Sequence, residues 1–249
     1  MLKNKIHNNL KIVNYIMKSE KFNLLFVLAI IFSVYGGIFL SGFELSLFDN
    51  AIIAFQYNIY NIFIFSLFVL NNNNFLNFFN YDFSFYIIRL KTKQNYIKEK
   101  IKFYIIYHSL YFVILLLLFF SFSLIVRMHN IVFSKYYFYG ISNYTYMIYL
   151  FVKLYLLSLL FGIINIFIYD KFGKNVSLII NFILISGFMI TFTTFEQLGK
   201  LIYILPWTFF EIFKYPSFMI EVSYFVFYVI ILEIIIYVCY KLYIRKKRI

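Results

Sequence analysis

The sequence predicts an all-α integral membrane protein with six transmembrane helices. Of its 249 residues, 63% are hydrophobic and 13% are charged, and the mean hydropathy is +0.83. Soluble domains are about half apolar and a quarter charged. Six apolar stretches reach the roughly 20 residues that a spanning helix needs. They are residues 23–43, 51–70, 103–126, 146–169, 176–194 and 219–240.

The positive charges lie mainly on one side of these spans. With both termini on one side, that side carries 18 of the 23 Lys and Arg residues and the other side carries four, while Lys153 lies within a span. Lys and Arg are retained on the cytoplasmic side of membranes. The sequence therefore predicts a multi-pass plasma-membrane protein with both termini in the cytoplasm. This distribution accounts for the net charge of +13 without a nucleic-acid partner.

Residues 1–22 predict an amphipathic helix at the inner membrane surface. Apolar residues recur at steps of three and four from Leu2 to Met17, and lysines take other positions. Basic helices with this pattern lie in the bilayer interface. A disordered basic leader is the alternative interpretation. No signal-peptide cleavage site follows, so we expect the leader to remain attached to the transmembrane domain, residues 23–249.

Residues 86–102 form a charged connection between the second and third spans. The segment reads YIIRLKTKQNYIKEKIK, with six positive charges and one carboxylate. Such a segment cannot lie in lipid, and it is long enough for a short cytoplasmic helix. Charge alone leaves two interpretations open, a docking surface for a partner or an anchor that only sets the orientation.

Three charged residues lie inside the predicted spans: Lys153, Glu221 and Glu233. Charges at this depth usually face the bundle interior, a water-filled cavity or a partner. At about 1.5 Å per residue, Lys153 lies nearest in depth to Glu221, and Asn181 lies near Glu233 as a candidate hydrogen-bond neighbour. We favour a structural ion pair for Lys153 and Glu221 over a place in a substrate path. For Glu233 neither role is preferred.

The connection between the fifth and sixth spans, residues 195–218, is apolar for a loop. It contains both prolines, Pro206 and Pro216, and the sole tryptophan, Trp207. Its hydrophobicity favours a short re-entrant hairpin that dips into the outer interface and is broken by the prolines. An interfacial loop anchored by aromatic residues is the alternative.

No motif gives this chain an enzymatic activity of its own. A phosphate-binding loop has the pattern G-x-x-x-x-G-K-[ST], and the glycines that precede a lysine, Gly173 and Gly199, lack the rest of it. The three histidines are separate from one another, which does not support a zinc site. We therefore expect no catalytic, cofactor-binding or metal-binding residues.

The order of these parts resembles the permease subunit of a type-2 ABC exporter. Arg89, Lys93, Tyr96 and Lys100 are similar to the family pattern R-x-x-x-[RK]-x-x-[YW]-x-x-x-K. In that family this segment is the coupling helix that docks on the ATPase subunit. The resemblance covers the layout of nearly the whole chain, and its motif covers the 12 residues 89–100.

The resemblance implies an ATP-driven exporter in which a separate ATPase dimer binds ATP and Mg. Two permease chains, identical or different, would face each other in the bilayer with the cargo between them. The short outer connections argue against family members with a large ectodomain, and many compact Gram-positive members of the family handle cationic, amphipathic or antimicrobial peptides. An amphipathic or hydrophobic peptide is therefore the expected cargo.

Functions of other classes stay open. An ATP-independent carrier would be expected to show repeated halves with broken helices, and no repeat relates residues 23–126 to 146–240. A bacteriocin-immunity protein is a second ATP-independent alternative, and an embedded scaffold or sensor subunit would use the charged connection to dock a signalling protein. Copurification with a P-loop ATPase discriminates between these functions.

Overall fold

The computed structural model describes five helical stretches. The described residues are 18, 27, 31, 49, 51, 52, 55, 68, 71–77, 79, 92–126, 139–181, 183 and 216–245. Among them there is no β-strand. We number the helices in chain order as α1 (71–77), α2 (Lys93–Val126), α3 (Asn143–Phe172), α4 (174–181) and α5 (Phe218–Arg245). The described residues thus confirm the predicted all-α class, and helices α2, α3 and α5 are each long and apolar enough to cross a membrane, as the predicted membrane protein requires.

Several predicted elements lie wholly or mostly outside the described residues. They are the amphipathic helix 1–22, the spans 23–43 and 51–70, the end of the span 176–194, the first part of the segment 86–102 and the hairpin 195–218 up to residue 215. The count of six spans stays a prediction, as do the interfacial helix and the hairpin.

Helix α2 joins the charged segment to the third span without a break. Thr92 caps its first turn, since its Oγ1 accepts a hydrogen bond from the backbone N–H of Asn95 at 3.2 Å. The 34 residues contain no Gly or Pro, so nothing ends the helix before the span. At about 1.5 Å per residue α2 exceeds the roughly 30 Å of hydrocarbon. Residues 93–102, which we call the α2 extension, are therefore the first part of one helix with the third span, and their role as a cytoplasmic coupling helix stays a prediction.

Helices α3 and α4 meet at a turn of one residue. Ser142 caps the start of α3 through its Oγ, which accepts the N–H of Thr145 at 3.3 Å. At the other end, the N–H of Gly173 donates to the carbonyl of Tyr169 at 2.8 Å. Gly173 has φ +86°, a left-handed conformation that Gly adopts at little cost. The predicted boundary between the fourth and fifth spans lies at this turn.

Helix α5 begins at Phe218, two residues after Pro216. The N–H of Ile220 donates to Oγ of Ser217 at 3.4 Å, which gives the helix an N-terminal cap. Its most apolar stretch is only 11% buried. Large side chains such as Phe227 and Tyr237 are exposed, which suits a surface covered by acyl chains in a membrane.

The chain divides into two compact units. One combines Met1–Ala54 with Lys102–Met147, and the other combines Phe55–Ile101 with Ile148–Ile249. The first has an aromatic core on α2, and the second has a core rich in Leu and Ile on α3. Fully or nearly fully buried examples are Tyr104, Tyr107 and Phe119 in the first unit and Leu150, Leu157 and Ile166 in the second.

Candidate functional site

A buried ion pair joins the α2 extension to the last turn of α3. Lys100 donates from Nζ to Oδ1 of Asp170 at 2.6 Å, and the side chains are 0% and 8% exposed. Lys100 lies just before the predicted span 103–126, and Asp170 lies just after the span 146–169. The pair therefore lies at one end of both spans, and the charge distribution predicts that this end faces the cytoplasm.

Aromatic rings surround the ammonium group of Lys100. The Nζ atom lies 5.5 Å from the ring centroid of Phe79, 5.3 Å from that of Tyr96 and 5.6 Å from that of Tyr169. Cations within about 6 Å of a ring face are attracted to it. The Tyr96 hydroxyl also accepts a hydrogen bond from Nζ at 3.0 Å. This aromatic cage and the Asp170 carboxylate replace the water that a surface lysine would bind.

The geometry bears on two of the four predicted coupling residues, Lys100 and Tyr96. Lys100 has no exposed area, so it does not present its charge to a partner. Tyr96 is partly buried and packs edge to face against Phe79, with centroids 6.0 Å apart. The Lys93 side chain and the whole of Arg89 lie outside the described residues. Lys100 is therefore not accessible for a direct contact with a partner protein.

The opposite face of the α2 extension is exposed and polar. Gln94, Asn95 and Lys98 are exposed, and Ile97 and Lys100 on the other face are buried. We call Gln94, Asn95 and Lys98 the outer face of the extension. Sequence reasoning missed Lys98 and Asp170. In the sequence, Lys100 follows the apolar residue Ile97 by three positions, and this spacing places both residues on one face of a helix. Lys98 does not lie on that face.

A second buried ion pair lies between α3 and α5. The Nζ atom of Lys153 donates to Oε1 of Glu221 at 2.7 Å, and neither side chain is exposed. The Tyr149 ring lies 5.4 Å from Nζ and packs edge to face with Phe218 and Phe225 at 5.1 and 6.0 Å. This confirms the pairing predicted from depth. The role of the pair, structural or part of a path, stays a prediction.

The predicted hydrogen bond between Asn181 and Glu233 is absent. Glu233 is exposed on α5, and Nδ2 of Asn181 is buried with no hydrogen-bond partner. The buried residues of α5 are Glu221, Phe225 and Leu232. Successive residues of a helix are rotated by about 100°, so Glu233, next to Leu232, points away from the packed side. Depth along the axis does not determine this rotation.

Other polar residues are buried close to these pairs along the chain. Ser177 on α4 donates to Oδ1 of Asn165 on α3 at 2.7 Å, across the Gly173 turn. Nδ2 of Asn165 and Oδ2 of Asp170 are buried and have no hydrogen-bond partner.

In the other unit, Asn143 donates to Asp49, and His108 is buried with its Nδ1 3.5 Å from the Tyr104 hydroxyl. Among the described residues, no group of three or more His, Cys, Asp and Glu side chains could hold a metal ion.

Comparisons with known proteins do not identify a family. No protein-family model matches the chain, and neither a curated protein nor a solved structure shows significant similarity to it. A proposal of function therefore depends on two observations. They are the sequence pattern of Arg89, Lys93, Tyr96 and Lys100 and the geometry of α2 and α3.

Proposed function

We propose that this chain is the permease subunit of a type-2 ABC exporter and moves an amphipathic or hydrophobic peptide out of the cell. The observation that carries the proposal is the two-sided α2 extension. Its inner face is fixed to α3 through Lys100 and Asp170, and its outer face exposes Gln94, Asn95 and Lys98. A segment that is anchored on one side and polar on the other suits a docking site for a motor subunit.

The proposal includes six spans, two cytoplasmic termini and a location in the plasma membrane. Helices α2, α3 and α5 are long and apolar enough to be three of these spans, and the excess of Lys and Arg on one side supports the orientation. In this orientation the α2 extension is cytoplasmic, where a soluble ATPase has access to it.

The chain is proposed to have no enzymatic activity of its own. It lacks a phosphate-binding loop, so ATP and Mg would be bound by a separate ATPase dimer. Closure of that dimer would displace the α2 extension. Two permease chains would then shift between inward-open and outward-open states around the cargo.

Copurification tests the proposal directly. The tagged chain is extracted from its native membranes in mild detergent, and bound ATPase is identified by azido-ATP labelling and vanadate-sensitive hydrolysis. We expect Lys98→Glu, and Arg89→Glu combined with Lys93→Glu, to release the ATPase. Lys241→Glu, a charge reversal at an exposed lysine of α5, is the matched control and should retain it.

Two results would contradict the proposal. One is a stable wild-type chain that binds no P-loop ATPase in native membranes. The other is transport by the isolated chain in liposomes under an ion gradient, which would favour the ATP-independent carrier. If a protein other than an ATPase binds through Lys98, the scaffold or sensor function gains support instead.

A further inference from the structure

We propose that Lys100 and Asp170 form a clasp that holds the α2 extension and the end of α3 together as one rigid body. The inference rests on the proposed function in one respect, namely that the force on the extension comes from an ATPase. Lys100 then acts as a positioning residue inside the permease, rather than as a residue that contacts the motor. Through its ion pair with Asp170, Lys100 transmits a displacement of the α2 extension to α3.

Burial makes the clasp stable against independent movement of its two sides. The ammonium and the carboxylate are 2.6 Å apart, and their side chains are 0% and 8% exposed. Separating them would leave two charges without compensation in surroundings of low dielectric constant. The two helix ends are therefore expected to move together, because sliding one past the other would separate the ammonium from the carboxylate.

The aromatic cage makes the clasp specific for a cation at position 100. Phe79, Tyr96 and Tyr169 come from three separate segments of the chain, and each ring lies within 5.6 Å of Nζ. Ring faces attract cations and repel anions. An arginine at this position would keep both the ion pair and the ring contacts, whereas a methionine of similar length would keep neither charge interaction.

The position of Asp170 determines where a displacement goes. Asp170 lies three residues before Gly173, the single residue that separates α3 from α4. The neighbouring Phe167 packs edge to face on Tyr243 of α5, with centroids 6.1 Å apart. A movement of the α2 extension would therefore reach α3, the α3–α4 turn and the end of α5.

Distance measurements on the full chain, without any ATPase, test the clasp. Spin labels are placed at Lys98→Cys and Lys174→Cys, both exposed positions, in a Cys239→Ser background reconstituted into nanodiscs. We expect a single narrow distance distribution. Lys100→Met should widen it by at least about twofold because the ion pair is lost, and Lys100→Arg should leave it narrow. Lys171→Met is the matched control, since Lys171 is exposed beside Asp170.

Measuring ATPase binding and transport per ATP distinguishes a loss of the clasp from a loss of the ATPase. In unlabelled complexes, Lys100→Met and Asp170→Asn should retain the ATPase but lower the transport per ATP by about tenfold, a typical strength of coupling between sites. Lys100→Arg should restore the ratio, and Lys171→Met should not change it. A narrow distribution in Lys100→Met, or an unchanged transport ratio, would overturn the clasp. Absence of any ATPase would contradict the proposed function, while the distance measurement would still decide whether the clasp exists.

Discussion

Lys153 on α3 lies 2.7 Å from Glu221 on α5, and both side chains are completely buried. The same helix carries Asp170, which pairs with Lys100. Lys153 and Asp170 are about 25 Å apart along α3, at about 1.5 Å per residue. One helix is thus joined to α5 through Lys153 and to the α2 extension through Asp170 in its last turn. In both pairs a tyrosine one turn before the lysine, Tyr149 or Tyr96, contributes a ring to the ammonium.

We predict that Lys153→Met destabilises the protein strongly. The substitution leaves Glu221 buried without a counter-charge, which typically costs about 3–5 kcal/mol. Changing both residues, Lys153→Met with Glu221→Met, should recover most of this loss because no charge is left unpaired. Thermal unfolding in detergent measures both variants. Equal destabilisation of the single and double variants would contradict a purely structural ion pair.

Glu233 should behave differently from Glu221. Because Glu233 is exposed on α5, we expect Glu233→Gln to change the unfolding free energy by no more than about 0.5 kcal/mol and to leave assembly intact. The transport rate of this variant then tests whether Glu233 lines a substrate path. A changed rate with normal stability supports that role, and an unchanged rate assigns Glu233 to the lipid-facing surface. A large loss of stability would contradict the observed exposure.

The turn at Gly173 should tolerate asparagine better than alanine. An added Cβ meets no atom within 4 Å there, so the penalty of Gly173→Ala comes from the left-handed backbone alone, about 1–2 kcal/mol. Asn adopts this conformation more readily, and Gly173→Asn should lose less. Lys174→Ala, at the next and exposed position, is the control for both. An unchanged melting temperature in Gly173→Ala would show that the turn has a different backbone conformation.

The hydrogen bond across this turn should be worth about 1 kcal/mol. Ser177→Ala removes the donor to Oδ1 of Asn165, whose Nδ2 is already without a partner. A buried amide with neither group bonded is costly, so Ser177→Ala combined with Asn165→Leu should be more stable than Ser177→Ala alone. Urea or thermal unfolding of Ser177→Ala, Asn165→Leu and the double variant in detergent gives the comparison. Additive losses in the double variant would argue against the bond.

Pattern reasoning succeeded where it used length and depth. The apolar runs located α2, α3 and α5, and the turn near residue 173 followed from the charged break between two runs. Depth along the helix axes identified the partner of Lys153. The same depth estimate failed for Asn181 and Glu233, because two residues at one depth can face opposite sides of their helices.

The amino-acid order alone determined which stretches are helical and apolar enough for a membrane, and how deep each charge lies in them. Only the tertiary structure decided which side of each helix is packed: Lys100 faces inward to Asp170, Lys98 faces outward, and Glu233 faces away from the core. The physical reason is that spanning helices are apolar on every side. Their sequences carry almost no amphipathic signal that would specify rotation, so contacts between helices specify it.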